Sequence, residues 1–261
     1  MKGSFYTVLV SIGLMLAVMG CNKTGKGGNS GLSHRLDSIV VDTAVVVVKN
    51  ADTLYCTLRL NIKTIKGKHA EVANRALLGS GILMPDYLSL ADKSLTVRQA
   101  VDSFVAQYID DYKTFYAATA QENRMEYVVD TWTENGRNGI VNYYARIGKK
   151  TGSQSTDYTL VRNLDLGKKR ILSLRDLLVD GYERDLCKAI GKQLEKQLES
   201  PIDSLLKNGL FANMGVYATD NVVMGEDQLT FIYVEGEIAD RAKGEIRIGI
   251  DYSDIVDLIR R

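Results

Sequence analysis

The sequence predicts an α+β fold of two-part architecture, in which antiparallel sheets carry helices packed on one face. Strand-like and helix-like segments occur in separate groups along the chain, and this segregation distinguishes α+β folds from alternating α/β folds. Several strand-like runs are joined by short turns, which requires antiparallel pairing. The 261 residues are 45% hydrophobic and 25% charged, which is typical of a soluble chain with one large or two small domains.

The first half of the chain predicts a hairpin followed by two helices. Residues 38–48 are β-branched and apolar, and residues 53–65 alternate between apolar and polar side chains, so we expect an antiparallel pair. The apolar face of the second strand consists of Leu54, Cys56, Leu58, Leu60 and Ile62. A short amphipathic helix is predicted over 69–78. A longer helix begins after Thr96, because Gln99 stands at the capping-box spacing, and it runs to about residue 119.

The second half predicts two groups of strands separated by helices. The strands are expected at residues 125–133, 140–147, 156–166, 216–223, 228–234 and 244–252. The helices are expected at residues 173–179, 182–199, 201–209 and 253–261. Ser173 has Asp176 at the capping-box spacing, and Ser200 is predicted as an N-cap with Pro201 at the first helical position.

Residues 1–20 are typical of a lipoprotein signal peptide. Lys2 supplies the positive start, residues 5–19 are largely apolar, and a cysteine follows directly. The segment 18–21, Val-Met-Gly-Cys, resembles the bacterial lipobox, in which the cysteine is lipidated and becomes the new N-terminus. We therefore predict acylation of Cys21, with palmitate among the acyl chains. A plain secretory signal and a membrane-spanning anchor are the alternatives.

Residues 21–38 are predicted to form a flexible tether between the lipid anchor and the folded part. Residues 22–33 contain four Gly and two Ser and cannot form a core. Several acyl chains hold a protein stably on a bilayer. The segment 22–33 carries Lys23 and Lys26 but no acid, whereas surface lipoproteins of Bacteroidetes-type bacteria often carry acids after the cysteine. We therefore predict the periplasmic face of the outer membrane.

The numbers of acidic and basic side chains are balanced and histidine is scarce, which argues against nucleic-acid binding and against a metal site. Removal of the signal peptide, which contains Lys2, reduces the 33 basic side chains to 32, against 32 acidic ones. A nucleic-acid partner is not predicted, because such binding needs an excess of Lys and Arg. The two His residues, His34 and His69, show no His-Glu-x-x-His spacing, so neither a metal site nor a cofactor is predicted.

Two cysteines remain once Cys21 is acylated. Cys56 lies in a strand pattern and Cys187 in a helical pattern. We interpret them as two buried free thiols. A Cys56–Cys187 disulfide stays open as the alternative, because an exported protein meets an oxidising environment.

The C-terminal half carries a recognisable sequence pattern. It consists of residues 163–169 (NLDLGKK), 172–178 (LSLRDLL), 229–233 (LTFIY), 237–239 (EIA), 242–244 (AKG) and 250–255 (IDYSDI). This pattern resembles domain-of-unknown-function family 3298, which occurs at the C-terminus of the anti-sigma factor RsiV and of the peptidoglycan deacetylase PdaC. Residues 39–147, with Asn74 in a helix after a hairpin, resemble the partner family 4163. We accordingly predict an N-terminal α+β domain at 39–155 and a C-terminal α+β domain at 156–261.

The resemblance implies a binding or sensing module in the cell envelope. The RsiV region resembles a lysozyme receptor, and the chemistry of PdaC belongs to a separate polysaccharide deacetylase domain that is not found in this sequence. We therefore expect a protein that is not an enzyme. Its expected partners are the membrane, through the lipid anchor, and a peptidoglycan, another glycan or a lysozyme-like protein.

The family-like segment supplies four candidate binding residues, which are Tyr233, Glu237, Asp240 and Arg241. The segment also departs from the family. Gly236 stands where Tyr is frequent, and Asp240 and Arg241 stand where Pro and Tyr are frequent, so an aromatic contact surface of the family would be lost. Glu237 either caps a turn over 238–243 or contacts a ligand, since an acid is favourable at the start of a helical turn.

Two other functions remain open. An envelope glycan hydrolase needs two carboxylates that face each other across a cleft. We interpret the pair Asp110-Asp111 as solvated helix residues and the pair Glu226-Asp227 as a hairpin turn. A structural scaffold is the other alternative. The 14 Tyr residues and the single Trp132 either line a sugar-binding face or pack within the sheets.

Overall fold

A computed structural model describes residues 9–11, 35–49, 52–67, 70–81, 95–116 and 124–260 of the chain. These residues form an α+β fold with predominantly antiparallel sheets, which confirms the predicted class. The described residues divide into two compact units, one within residues 1–131 and 146–156 and the other within residues 132–145 and 157–261. The predicted domain boundary at 155/156 stays a prediction.

In the described residues, ten strands form two sheets. The larger sheet contains seven strands in chain order: β1 (Leu9–Ser11), β2 (Arg35–Lys49), β3 (Asp52–Lys66), β4 (Arg124–Asn135), β5 (Ile140–Thr151), β6 (Gln154–Asp165) and β7 (Arg170–Leu172). The smaller sheet has the order β10 (Ile246–Asp251), β9 (Gln228–Tyr233), β8 (Val222–Met224). The α-helices are α1 (Ala70–Gly79), α2 (Val97–Asp111), α3 (Leu174–Leu177), α4 (Glu183–Leu198) and α5 (Ile202–Lys207).

The first unit contains the predicted hairpin. Strands β2 and β3 pair antiparallel along their whole length, and Lys49 lies opposite Asp52. The alternating apolar side chains of β3 are all buried, as their spacing predicts: Leu54, Cys56, Leu58, Leu60 and Ile62. Asn74 docks α1 onto this strand, because its Oδ1 accepts the N–H of Ile65 (2.8 Å) and its Nδ2 donates to the carbonyl of the same residue (2.9 Å).

The long helix begins as predicted but ends earlier. Thr96 and Gln99 form the reciprocal capping box, and α2 buries the face that carries Phe104 and Tyr108. The α-helix ends at Asp111, where a π-helical turn, Tyr112–Tyr116, follows. Strand β4 then pairs with β3 in parallel, a pairing that the sequence pattern did not predict. Parallel neighbours need a long crossover, and the segment with α1 and α2 supplies it.

The second unit contains a large core beneath α3, α4 and α5. The capping box of Ser173 and Asp176 opens α3 as predicted, and Leu186, Ile190 and Leu194 of α4 are fully buried. The cap of α5 is Pro201, one residue later than predicted.

Two predicted elements near the C-terminus differ from the structure. The strand expected at 216–223 is reduced to β8, and the closing helix is 3₁₀-helical over Tyr252–Leu258. Directly before β8, the side-chain amide of Asn221 bonds backbone groups of β6 and β9.

Three buried asparagines connect β5 and β6 to the smaller sheet. Asn163 accepts the N–H of Met224 (3.0 Å) and donates to the carbonyl of Val222 (2.8 Å). Asn142 donates to the carbonyl of Met224 (3.3 Å). Asn221 makes three such bonds, and all three asparagines are less than 9% exposed. The amides satisfy backbone groups that no neighbouring strand pairs, which is the condition for burying such groups.

Both remaining cysteines are free thiols, so the open disulfide alternative is wrong. Cys56 is buried, as predicted, whereas Cys187 is partly exposed. In the described ranges, no helix is both long and apolar enough to cross a bilayer. The predictions for Cys21, for most of the tether 21–38 and for most of the signal peptide fall outside the described residues.

Candidate functional site

The predicted binding residues lie in and beside a loop, residues 234–244, that forms two successive tight turns. In the first turn, the N–H of Glu237 donates to the carbonyl of Val234 (3.0 Å), and the N–H of Val234 donates to Glu237 Oε2 (2.9 Å). Gly236 completes this turn with a φ of +78°, a left-handed conformation that glycine adopts without a steric penalty. The carboxylate of Glu237 therefore secures the first turn.

Asp240 caps the second turn, the 3₁₀ helix Arg241–Lys243. Its Oδ1 accepts the N–H of Ala242 (2.8 Å), so the capping role that we considered for Glu237 belongs to Asp240. The side chains of both Asp240 and Arg241 are exposed. The stem of Arg241 lies against Gly236, where an added Cβ would come within 3.0 Å of Arg241 Cγ. A side chain at position 236 would displace this arginine.

Three aromatic rings support the loop from inside. The rings of Phe211, Tyr217 and Tyr233 pack edge to face, with centroids 5.3 to 5.8 Å apart. Tyr233 has no exposed surface, and its hydroxyl donates to the carbonyl of Tyr217 (2.5 Å). The structure therefore corrects the expectation that the Tyr233 ring contacts a ligand, because this ring belongs to the core.

Tyr217 joins the aromatic cluster to the loop. Its hydroxyl donates to Glu237 Oε1 (3.0 Å), and its ring is partly exposed. Burial, followed by the hydrogen bond to the Glu237 carboxylate, raises the pKa of Tyr217 to about 12. Burial also raises the pKa of Tyr233. Both hydroxyls therefore remain protonated donors near neutral pH, and the bond between Tyr217 and Glu237 is retained.

The segment beside the loop is strained. Phe211 and Ala212 have φ angles of +59° and +46°, and a left-handed conformation of this kind costs a residue with a Cβ about 1–3 kcal/mol. The N–H of Phe211 donates to the carbonyl of Ile238 (2.7 Å), so contact with the loop helps to hold this conformation. Met214 lies two residues after Ala212, and 74% of its surface is exposed.

The structure thus brings Tyr233 and Glu237 together through Tyr217 and leaves Asp240 and Arg241 at the surface. Sequence reasoning did not identify Phe211 or Met214, and it considered Tyr217 only as one of several strand tyrosines. The local sequence pattern was misleading here, because Tyr217 lies in the segment that was predicted to be a strand at 216–223.

The acidic pairs of the sequence lie in different surroundings. Asp111 accepts a hydrogen bond from Gln107 Nε2 (2.7 Å) on the surface of α2, as expected of solvated helix residues. Glu226 and Asp227 lie in the turn between β8 and β9, as predicted.

An open groove of about 740 Å³ brings Asp251 to the same surface as Glu226 and Asp227. The guanidinium of Arg137 lies 4.4 Å from the ring centroid of Tyr252 in this groove, within the range of a cation–π interaction. Over the part of the chain that the structure describes, no group of three or more His, Cys, Asp or Glu is placed to hold a metal ion.

The loop 234–244 lies within a segment of the chain that matches a known protein family. Residues 175–253 match the model of a protein family of unknown function, DUF3298. The chain contains a DUF3298 domain. This match includes the loop 234–244 and Glu226, Asp227 and Asp251. It confirms the resemblance of the C-terminal half, while the similarity of residues 39–147 to family 4163 stays a prediction.

Two solved structures share the fold. A DUF3298 family member from Bacteroides fragilis NCTC 9343 superposes with a TM-score of 0.74 at 18% identity, and the alignment covers 90% of this chain and 96% of that one. A DUF3298 family protein from Pseudomonas aeruginosa PAO1 superposes with a TM-score of 0.59 at 14% identity, over 88% of this chain and 97% of that one. No curated protein matches the chain.

Proposed function

We propose that this protein is a cell-envelope lipoprotein whose DUF3298 domain binds or senses a wall-associated partner without catalysing a reaction. The observation that carries the proposal is the loop 234–244, a surface segment with a rigid base and exposed charged side chains. Binding residues are often placed on loops that a rigid scaffold positions. The loop fits that description, because its own side chains and a buried aromatic cluster hold it.

The rigidity of the loop has three sources. The Glu237 carboxylate bonds both the Val234 N–H and the Tyr217 hydroxyl, and Asp240 caps the second turn. The strained backbone at Phe211 is bonded to the loop carbonyl of Ile238. Strained conformations cluster at functional sites, because the surrounding structure must hold them in place.

The exposed side chains indicate a mixed polar and apolar contact. Asp240 and Arg241 carry opposite charges, and Met214 adds a flexible apolar side chain of the kind found at adaptable binding surfaces. Peptidoglycan, another envelope glycan and a lysozyme-like protein are the partner classes that we propose.

A retention assay tests the proposal. The full chain, purified in detergent, is incubated separately with peptidoglycan sacculi and with immobilised lysozyme, and the bound fraction is measured. We expect retention on one of them, with a loss of at least about tenfold in affinity for the double variant Asp240→Asn and Arg241→Gln. Asn at position 240 keeps the oxygen that caps the turn. The control Asp203→Asn and Lys207→Gln changes two exposed charges on α5 and should bind like the wild type.

The lipid anchor is tested separately. We propose that acylated Cys21 holds the protein on the outer membrane, on its periplasmic face. The substitution Cys21→Ser should move the protein from the membrane fraction to the soluble fraction. Unchanged fractionation would contradict lipidation at this cysteine and would leave the binding proposal to its own assay.

The groove with Glu226, Asp227 and Asp251 favours one second candidate, an envelope glycan hydrolase that uses paired carboxylates. Incubation of the full chain with sacculi, followed by chromatography of the released fragments, tests it. Soluble fragments that disappear with Asp227→Asn or Asp251→Asn would favour the hydrolase. Intact sacculi after incubation with the folded wild type would exclude it.

A further inference from the structure

A stacked aromatic pair lies on the larger sheet, within the second unit and outside the loop described above. The rings of Trp132 on β4 and Tyr144 on β5 have centroids 4.9 Å apart and planes that differ by 1°. Tyr144 is 4% exposed and lies in a small core cluster with Val161, Val223 and Ile232. Trp132 packs against this cluster but remains partly exposed, so it forms the outer layer of the stack.

Polar groups surround the exposed tryptophan. Its indole N–H donates to Glu134 Oε1 (3.2 Å), and the hydroxyl of Tyr144 also bonds to the Glu134 carboxylate. Arg247 of β10 lies near Tyr144, and its Nε donates to Glu245 Oε1 (2.7 Å). Glu134 and Arg247 are exposed, and their side chains provide hydrogen-bond acceptors and donors beside the rings.

The arrangement is fixed before any ligand arrives. The coplanar stack on Tyr144 sets the tilt of the indole, and the bond to Glu134 sets its rotation. On the Glu245 carboxylate, Oε2 accepts the N–H of Thr159 (3.1 Å), which anchors the acid that holds Arg247. A preorganised site loses less conformational entropy on binding than a flexible one.

We propose that Trp132 is the stacking platform of a glycan-binding site, with Glu134 and Arg247 as its polar rim. The flat C–H face of a pyranose ring complements an aromatic face, whose π-electrons are negative and attract the C–H hydrogens. Glu134 accepts hydrogen bonds from sugar hydroxyls, and Arg247 donates to hydroxyl, amide or carboxylate oxygens. This inference rests on the proposed function and names its ligand class as a glycan built of pyranose rings.

The fluorescence of the protein tests the proposal directly, because Trp132 is the only tryptophan in the sequence. The full chain in detergent is titrated with chitotetraose, a soluble β-linked oligomer, and with glycerol as the comparison. We expect a saturable change in tryptophan emission with chitotetraose and no saturable change with glycerol. No saturable change with the oligomer, or the same change with glycerol, would overturn the proposal.

Variants separate ligand binding from packing. Glu134→Gln and Arg247→Gln leave the aromatic stack in place and should weaken the apparent affinity for chitotetraose by about threefold to tenfold. Tyr55→Ala removes a ring that is 48% exposed on β3 of the other unit and should leave the affinity unchanged. An equal loss for Tyr55→Ala and for the rim variants would contradict a site at Trp132.

The platform itself is tested by calorimetry. Trp132→Phe keeps an aromatic ring and should bind more weakly than the wild type, whereas Trp132→Ala should lose at least about tenfold in affinity, which is 1.4 kcal/mol. Urea unfolding establishes that each variant is folded. A folded Trp132→Phe or Trp132→Ala protein with full affinity would refute the inference.

The two proposals fail in different ways. If the wild type binds sacculi and the Trp132 variants bind them equally well, the proposed function stands and the glycan platform is wrong. If the wild type is retained only by the immobilised lysozyme, the proposed function stands and the glycan platform is wrong. If it is retained by neither, both proposals fail.

Discussion

The substitution Asn221→Ala should destabilise the second unit more than a typical core mutation. The side chain of Asn221 connects three backbone groups on two strands, β6 and β9. Its Oδ1 accepts the N–H of Val161 (2.7 Å), and its Nδ2 donates to the carbonyls of Thr159 (2.8 Å) and Ile232 (3.0 Å). Alanine removes all three hydrogen bonds and supplies no replacement.

The size of the effect follows from burial. Val161 and Ile232 have no exposed surface, and Asn221 itself is 7% exposed, so water cannot easily take over these bonds. A buried donor without a partner costs about 1–3 kcal/mol, and the two carbonyls add a smaller cost. We therefore expect a loss of about 3–5 kcal/mol in the free energy of unfolding, out of a total of about 5–15 kcal/mol.

Urea unfolding measures this loss. The emission of Trp132, which lies in the same unit, should follow a transition shifted to lower urea concentration. The control Gln228→Ala removes an exposed amide that donates to the hydroxyl of Thr230 (3.3 Å), and it should change stability by no more than about 0.5 kcal/mol. If Asn221→Ala costs less than about 1 kcal/mol, the three bonds do not contribute as argued.

A second variant checks the direction of the hydrogen bonds. Asn221→Asp keeps the shape, but a carboxylate would face the carbonyl oxygens of Thr159 and Ile232. The charged form is disfavoured there, so the pKa of the new acid rises in the folded state. Stability of Asn221→Asp is then highest at low pH, where the acid is protonated, and decreases as the pH rises. A variant whose loss of stability is the same at every pH would contradict this assignment.

Three further predictions concern other parts of the chain. The hydrogen bond from Arg170 to Asp176 lowers the pKa of the Asp176 carboxyl in the folded state. The ionised carboxyl therefore stabilises the fold at pH values above the ordinary Asp pKa, and this stabilisation is lost as the pH falls through the lower pKa of the folded state. Urea titrations should show that Asp176→Asn weakens this acid dependence, with a loss near neutral pH of no more than about 1 kcal/mol. Burial raises the pKa of Cys56 to about 12 and also raises the pKa of Cys187. At neutral pH, a thiol reagent should therefore label the partly exposed Cys187 slowly and Cys56 only on unfolding. Peptide mass mapping measures the two labelling rates, and equal rates would contradict this prediction. Gly236→Ala should cost about 1–2 kcal/mol in urea unfolding, because alanine disfavours the left-handed conformation, and an unchanged midpoint would contradict it.

Short-range patterns predicted much of the fold. The alternation in β3 predicted which of its side chains are buried, and the reciprocal spacing of Thr96 with Gln99 predicted where α2 begins. Each of these patterns involves residues only a few positions apart in the sequence, so local geometry determines the structure that they form. The turn at Glu226-Asp227 was likewise predicted from a local sequence pattern.

The candidate site was predictable only in part. The family-like segment located the loop 234–244, but the roles of its residues depend on Tyr217 and Phe211, which lie about 20 residues earlier in the sequence. Tyr233 was a candidate contact in the sequence and is a core residue in the structure, since an aromatic residue in a strand has the same local pattern in either case.

The sequence by itself determined the fold class, the hairpin, the capping boxes and the C-terminal family resemblance. It also supplied the predictions for the signal peptide and for Cys21. Only the tertiary structure decided the parallel pairing of β3 with β4, the three buried asparagines and the stack of Trp132 on Tyr144. These features join segments that are distant in the chain, and a side chain's local pattern does not specify which distant group it will meet. The free energy of such contacts depends on burial and partners, which exist only once the chain has folded.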